Sequence, residues 1–172
     1  MYGQVIKNIF RFIVFVLLQV LLLNKINFLG YLSPYLYVLF ILLLPFETPG
    51  WALLVFSFLT GMTIDLFSGT SGLHAAAATF TGVIRPLAIK IVGEKPSYDI
   101  TSQPGIRDMG VKWFLQYIII LVFIHHFVLN LLEVFSFHEF FQTLFRAVLS
   151  SVFTILTIFF IQTVFISQKR NA

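Results

Sequence analysis

The sequence predicts an all-α fold: a polytopic integral membrane bundle of about six transmembrane helices, forming a single domain over residues 1–172. Hydrophobic residues make up 59% of the chain and charged residues only 10%, whereas soluble globular chains are about a quarter charged. The apolar residues fall in long runs separated by short segments of glycine, proline and charged residues. Several of these runs approach the roughly 20 residues that a helix needs to cross a bilayer. Lipid is therefore the expected solvent.

Each apolar run is predicted to be one membrane-spanning helix. In the first, Asn24 and Lys25 interrupt the apolar sequence, so its last turn is expected at the membrane interface. The second is short, with Pro34 suited to its first turn and Pro45 to its end. Trp51 starts the third as an interfacial anchor. The predicted spans are residues 9–29, 33–45, 51–66, 72–92, 111–132 and 140–166.

The charged residues predict the orientation of the bundle. Residues 93–110 form the longest non-apolar segment and are predicted to be an exposed cytoplasmic loop. Lys25 is expected in an outer loop, whereas Arg85 is expected to snorkel toward the cytoplasmic side. The other basic residues near span ends predict that both termini are cytoplasmic, so the net charge of +4 does not indicate nucleic-acid binding. These residues are Lys7, Arg11, Lys90, Lys95, Arg107, Lys112, Lys169 and Arg170.

Residues 61–86, GMTIDLFSGTSGLHAAAATFTGVIRP, are expected to organise the bundle as a close-packed helical hairpin. Ser57, Gly61 and Asp65 recur every four residues and share one helix face. Small residues let two helices approach closely, and an acid on the same face is expected to point toward protein. Gly61 and Ala76 are therefore predicted to lie where spans three and four, or span three and another helix, approach closely. The thin face of span four is predicted to consist of Gly72, Ala76, Thr79 and Gly82, with Ala75 and Ala78 beside it.

Polar residues within the spans collect in the predicted outer half of the bilayer. His126, Asn130 and Glu133 share one face of span five, while His125 is expected at the lipid interface. Arg146 lies about one helical turn inside the outer interface. An unpaired arginine at such a depth costs roughly 2–3 kcal/mol, so an acidic partner is expected. The candidates are Asp65, Glu133 and Glu139.

Two interpretations of these polar residues stay open. They fasten helices to one another and contact partners, or they line a cavity that opens outward and binds a ligand or a partner. Neither interpretation requires a cofactor, and none is predicted. A metal site is not expected either, because adjacent histidines on a helix diverge by about 100°. The residues considered for one are His74, His125, His126, Glu133 and His138.

A catalytic interpretation has less support. Gly69-Thr70-Ser71-Gly72 resembles the GxSG motif of intramembrane serine proteases, and His126-xxx-Asn130 resembles an oxyanion pair. In that family, however, the HxxxN residues precede the serine helix, whereas here they follow it. A Gly/Ser turn between two helices accounts for the motif. The chain has no cysteine, which excludes thiol chemistry.

With its G-x-x-x-D-L unit, turn and small-residue helix, the 61–86 segment resembles the MreD family of bacterial rod-shape-determining membrane proteins. Gly61, Asp65 and Gly72 stand at the matching positions. The resemblance implies a non-enzymatic scaffold of the inner membrane that works with an MreC-like periplasmic scaffold, an MreB-like cytoskeleton and peptidoglycan synthases. The family is similar in fold to the substrate-binding components of vitamin importers. A small-molecule-binding importer subunit is therefore the alternative.

Overall fold

A computed structural model describes residues 2–25, 34–93, 103–134 and 140–170, and all regular structure in these ranges is helical. The sequence explains why one helix ends at Ser68 and the next begins at Leu73. Gly69 and Gly72 have φ of 68° and 86°, a left-handed backbone that glycine adopts without steric cost. The helices are α1 (Tyr2–Leu21), α2 (Val38–Leu42), α3 (Gly50–Ser68), α4 (Leu73–Val92), α5 (Ile106–Met109), α6 (Val111–Val134) and α7 (Phe140–Arg170), with a 3-10 turn at Leu23–Lys25.

Four of the described helices are long and apolar enough to cross a membrane: α3, α4, α6 and the Phe140–Thr163 part of α7. Their outer faces carry exposed large apolar side chains, among them Trp51, Phe67 and Phe160. Exposed apolar surface on this scale is unfavourable in water and favourable in lipid. These helices support the prediction of a helical membrane bundle, although six spanning helices are not confirmed.

The bundle has two ends, defined here by their connections. At the turn end, residues 69–72 join α3 to α4. At the loop end, Trp113 donates a hydrogen bond from Nε1 to the Gly93 carbonyl, 2.7 Å away, and ties the start of α6 to the end of α4. Residues 94–102 of the predicted loop lie outside the described residues. Residues 103–110 are not simply an exposed loop, because they include α5, whose Met109 is buried.

Helix α1 is not among the four membrane-crossing candidates. Lys7, Asn8 and Arg11 interrupt its apolar sequence, and the helix ends at Leu21, before the predicted end at residue 29. It nevertheless runs from one end of the bundle to the other. Arg11 Nη1 donates to Gln103 Oε1 at the loop end, at 2.6 Å. Asn24 Nδ2, just after the helix, donates to Ser68 Oγ at the turn end, at 3.0 Å.

Among the predicted spans, the second differs most from the observed structure. Residue 33 lies outside the described residues, and only Val38–Leu42 are helical in the segment that follows. A helix of five residues rises only about 7.5 Å, a quarter of the bilayer core. All residues from Leu36 to Leu44 are at most 6% exposed, so α2 lies in the centre of the bundle, against α1, α3, α4 and α6. The segment is an interior element rather than a lipid-facing helix.

The α3–α4 hairpin is closely packed, as the small-residue spacing predicts. A Cβ atom added at Gly61 would lie 2.5 Å from the Ala75 Cα, and one added at Gly82 would lie 2.5 Å from Ser57 Oγ. The two helices therefore approach at both glycines. The partner of Gly61 is the backbone of α4 at Ala75, whereas the predicted partner, Ala76, is exposed. Gly82 lies on the inward face of α4 as predicted, together with Ala75 and Ala78, which were expected beside that face.

Candidate functional site

Asp65 joins the end of α3 to the start of α4. Its Oδ1 accepts hydrogen bonds from the His74 backbone N–H, at 3.1 Å, and from the Thr70 hydroxyl. Its Oδ2 accepts one from the Ala75 N–H, at 2.8 Å. The first N–H groups of a helix lack partners within the helix, and the helix dipole favours a negative charge there. Asp65, which is buried, is therefore the cap of α4.

The predicted ion pair with Arg146 is not among the contacts of Asp65 in the described part of the chain. Three donors from the hairpin already surround the carboxylate. Of the other acids considered for Arg146, Glu133 is exposed on α6, and Glu139 lies outside the described residues. Arg146 itself is partly buried on α7.

A pocket of about 380 Å³ opens at the turn end, between the hairpin, α6 and the chain that leads into α2. Its walls combine apolar side chains from α3, α4 and α6 with polar groups. Glu133 brings a carboxylate to the rim, and His74 brings an imidazole that is 5% exposed. We call this cavity the turn-end pocket; its polar lining residues are Asn24, Tyr35, Ser68, Thr70, His74 and Glu133.

Beneath the turn-end pocket, a chain of hydrogen bonds leads into the bundle. His74 Nδ1 lies 3.0 Å from the Tyr37 hydroxyl, and the same hydroxyl lies 2.8 Å from His125 Nε2. His125 Nδ1 lies 3.1 Å from Thr81 Oγ1, which in turn donates to the Ala77 carbonyl at 2.8 Å. His125 is fully buried. The prediction that it lies at the lipid interface is therefore wrong, because Tyr37 and Thr81 satisfy both of its ring nitrogens inside the protein.

His126 takes part in a separate polar contact on the α7 side. Its Nε2 lies 2.8 Å from Thr154 Oγ1, which also accepts the Tyr35 backbone N–H at 3.1 Å. The rings of Tyr35 and His126 lie against each other, with centroids 5.1 Å apart. Asn130, which shares the predicted face, donates from Nδ2 to the His126 carbonyl of its own helix at 2.7 Å. His126 and Asn130 therefore bond to different groups, although they lie one turn apart on α6.

Polar side chains also satisfy the irregular backbone on both sides of α2. Arg85 donates from Nε to the Tyr117 hydroxyl, at 2.9 Å, and from Nη2 to the Leu44 carbonyl. Tyr117 donates onward to the Leu42 carbonyl, at 3.0 Å. Arg85 is 1% exposed, so the prediction that it snorkels is wrong. Its guanidinium donates a hydrogen bond to a backbone carbonyl just after α2. A carbonyl without a hydrogen-bond partner at such a position would be unfavourable in a membrane.

On the other side of α2, Gln19 has the corresponding function. Its Oε1 accepts the Leu36 backbone N–H at 2.7 Å, and its Nε2 donates to the Pro34 carbonyl at 3.0 Å. The sequence-based prediction omitted Gln19, Tyr37, Thr81 and Tyr117. Gln19 offered a signal, because it is a lone amide within an apolar run. The hydroxyl residues offered none, since such residues also occur on lipid-facing surfaces.

Ser71 and His126, the residues considered for catalysis, lie in different surroundings. Ser71 is exposed in the hairpin turn, and the described contact of the His126 ring nitrogen is with Thr154. Gly72 is the left-handed residue before α4. Among the described residues, no group of three or more histidines and acids is placed to hold a metal ion. His138 lies outside them.

No family model, curated protein or solved structure matches this chain. The resemblance to the MreD family therefore depends on the motif in residues 61–86, and its functional implications are proposals.

Proposed function

We propose that this chain is a non-enzymatic scaffold subunit of the bacterial cell-elongation machinery in the inner membrane. Its partners are an MreC-like periplasmic scaffold, an MreB-like cytoskeleton and peptidoglycan synthases. The observation that supports the proposal is the contact made by each distinctive motif residue. Gly61 admits the α4 backbone, Asp65 caps α4, and Gly72 turns the chain into it. The motif that resembles that family thus builds the hairpin, which fits a protein whose role is to present a stable surface.

Charge supports an orientation with the loop end in the cytoplasm. Lys90 and Lys112 flank the loop in sequence, and Arg11 bonds to Gln103 within it. Basic residues near span ends favour the cytoplasmic side. The C-terminal half of α7 reaches the same end, since Gln162 lies near Gly105. In this orientation the turn-end pocket faces the periplasm, where an MreC-like partner would be accessible.

Capture of crosslinked partners tests the proposed function. The tagged chain is expressed from its own locus, crosslinked in intact cells and purified, and an unrelated tagged inner-membrane protein serves as the control. We expect cell-wall synthesis proteins to co-purify specifically, and depletion of the chain to make rod-shaped cells round. Recovery of only ATP-binding-cassette subunits, with unchanged cell shape, would contradict the scaffold and favour the alternative.

That alternative is a small-molecule-binding subunit of an importer. The observation that favours it is the turn-end pocket, which has the volume and mixed lining of a small-ligand site. The two proposals differ in a simple phenotype. Loss of an importer subunit is corrected by excess external nutrient, whereas loss of a scaffold is not.

A further inference from the structure

We infer that the turn-end pocket binds a small organic cation through a primary ammonium group. This inference does not depend on the proposed scaffold function. It follows from the directions of the hydrogen bonds around the pocket, which leave acceptors at His74 and Thr70, and from the carboxylate of Glu133.

The first acceptor is the imidazole of His74. Thr81 uses its hydroxyl hydrogen on the Ala77 carbonyl, so toward His125 Nδ1 it acts as an acceptor. His125 Nδ1 therefore carries the proton, and in the neutral ring Nε2 must accept from the Tyr37 hydroxyl. Tyr37 in turn accepts from His74 Nδ1–H. This chain fixes the tautomer of His74 and leaves Nε2 with a lone pair.

The lone pair of His74 is available to the turn-end pocket. The side chain lines the pocket, and Nε2 makes no hydrogen bond within the described residues. His74 Nε2 is also not one of the fully enclosed polar side-chain atoms that lack a hydrogen-bond partner in the described residues. An imidazole that is 95% buried, since it is 5% exposed, thus presents an acceptor at the pocket wall.

Thr70 and Glu133 extend this set of acceptors. The Thr70 hydroxyl donates its hydrogen to Asp65, so only lone pairs of its oxygen remain for a ligand. Glu133 contributes a carboxylate, the one formal charge among the described lining residues when His74 is neutral. Two neutral acceptors beside a carboxylate match the three N–H donors of a primary ammonium. Ser68 also lines the pocket and, because its oxygen accepts from Asn24, keeps a hydroxyl hydrogen there. It is therefore the Glu133 carboxylate that disfavours an anion.

The remaining walls favour an organic cation over a hydrated metal ion. Tyr35 and Phe67 line the pocket together with Leu73 and Leu129. Aromatic faces attract cations, and apolar side chains bury the carbon skeleton of a ligand. The described residues also place no group of three or more histidines and acids suitable for a metal.

Calorimetric titration of the full chain in phosphatidylcholine nanodiscs tests the inference. The probes are phenethylammonium, the neutral 2-phenylethanol and the anionic 3-phenylpropionate, with empty nanodiscs as the blank for partition into lipid. We expect saturable binding of phenethylammonium, and binding at least tenfold weaker for the other two. Equal affinity for the alcohol, or no saturable binding of the cation, would overturn the inference.

Glu133→Gln supplies the decisive variant, because the side chain is exposed and its loss should leave the fold intact. A charge-assisted hydrogen bond contributes about 1.5–3 kcal/mol, so we expect affinity for phenethylammonium to fall about tenfold or more. Glu47→Gln, an exposed acid before α3, is the matched control and should bind normally. Unchanged binding by Glu133→Gln would refute the assigned role of the carboxylate.

Nitrogen-15 NMR of the histidine-labelled chain tests the role of His74, with the resonance assigned by His74→Gln. Saturating phenethylammonium should shift the His74 Nε2 signal and leave His125 unchanged. An unshifted His74 signal at saturation would contradict the geometry proposed for the cation.

Changing the lipid of the nanodiscs shows whether the natural ligand is a lipid headgroup or a free amine. Phosphatidylethanolamine carries a primary ammonium, whereas phosphatidylcholine has no N–H donor. If phosphatidylethanolamine nanodiscs weaken phenethylammonium binding by competition, the natural ligand is a lipid headgroup. If they do not, it is a free amine.

Discussion

Arg85 places a guanidinium in the interior of the bundle, and the acceptors around this group keep it there without a large loss of protein stability. Replacement by methionine keeps much of its volume but removes the donors to Tyr117 and Leu44. A buried acceptor without a partner costs about 1–3 kcal/mol. We therefore expect Arg85→Met to lower the free energy of unfolding by about that amount, as measured by denaturation in detergent.

Lysine at the same position should give an intermediate loss, since one ammonium group cannot reproduce the planar fork of a guanidinium. Lys90→Met is the matched control: it removes a cation from an exposed position of the same helix and should change stability little. If Arg85→Met proves as stable as Lys90→Met, the guanidinium does not stabilise the end of α2.

Asp65 gives a second prediction at this scale. Because the carboxylate caps α4, Asp65→Ala should cost about 0.5–2 kcal/mol, the usual range for loss of a helix cap. Asp65→Asn should cost less, since the amide retains one acceptor oxygen. Thermal unfolding in detergent measures both, with Glu47→Ala as the exposed control.

A charge exchange distinguishes this cap from an ion pair. Asp65→Arg should be defective, and adding Arg146→Asp should not restore it, because the partners of Asp65 are backbone N–H groups and Thr70. Restoration of stability in the double variant would show that the two side chains interact.

At the scale of residues, the sequence predicted positions better than partners. The four-residue spacing of Ser57, Gly61 and Asp65 was sufficient to predict that all three face the interior, and all three are buried. The partners of Asp65 were not predictable from charge, because the N–H groups at the start of a helix are hydrogen-bond donors that side-chain composition does not show. The burial of Arg85 was missed for a related reason: its acceptors, the Tyr117 hydroxyl and the Leu44 carbonyl, are 32 and 41 residues away in the sequence.

At the scale of elements, the α3–α4 hairpin depends on glycine at its closest approach. Gly61→Leu places a branched side chain where even a Cβ atom would lie 2.5 Å from Ala75. Overpacking costs about 1–3 kcal/mol, so we expect a corresponding loss in the free energy of unfolding. Gly50→Ala, with no atom within 4 Å of the added Cβ, is the control and should be tolerated. Equal stability of the two variants would show that the hairpin can separate without cost.

Helix α2 shows why local sequence was insufficient for one element. Residues 33–45 have the apolar composition of a membrane span, and length was the only feature against one. The interior position of α2 is stabilised by side chains that form hydrogen bonds with the backbone at its two ends. Gln19, Arg85, Tyr117 and Thr154 come from four different helices. Such a set forms only in the assembled bundle.

At the scale of the whole molecule, the two polar regions lie at different depths along the same central element. The histidine chain begins at the turn-end pocket and reaches Tyr37, just before α2, while Arg85 and Tyr117 bind carbonyls at the other end of α2. Helix α2 thus lies between the turn-end pocket and the loop end, and side chains form hydrogen bonds near both of its ends. Substitutions around α2 should therefore affect the stability of both.

The orientation of this arrangement is a prediction that reporter fusions can test. Fusions after Gly105 and at the C-terminus should report cytoplasm, and a fusion after residue 136 should report periplasm. The reason is the excess of basic residues toward the loop end, since such residues favour the cytoplasmic side. Arg107→Glu combined with Lys112→Glu reduces that excess and should lower the fraction of molecules in the expected orientation. A periplasmic signal after Gly105 in the unmodified chain would reverse the orientation, and the turn-end pocket would then face the cytoplasm.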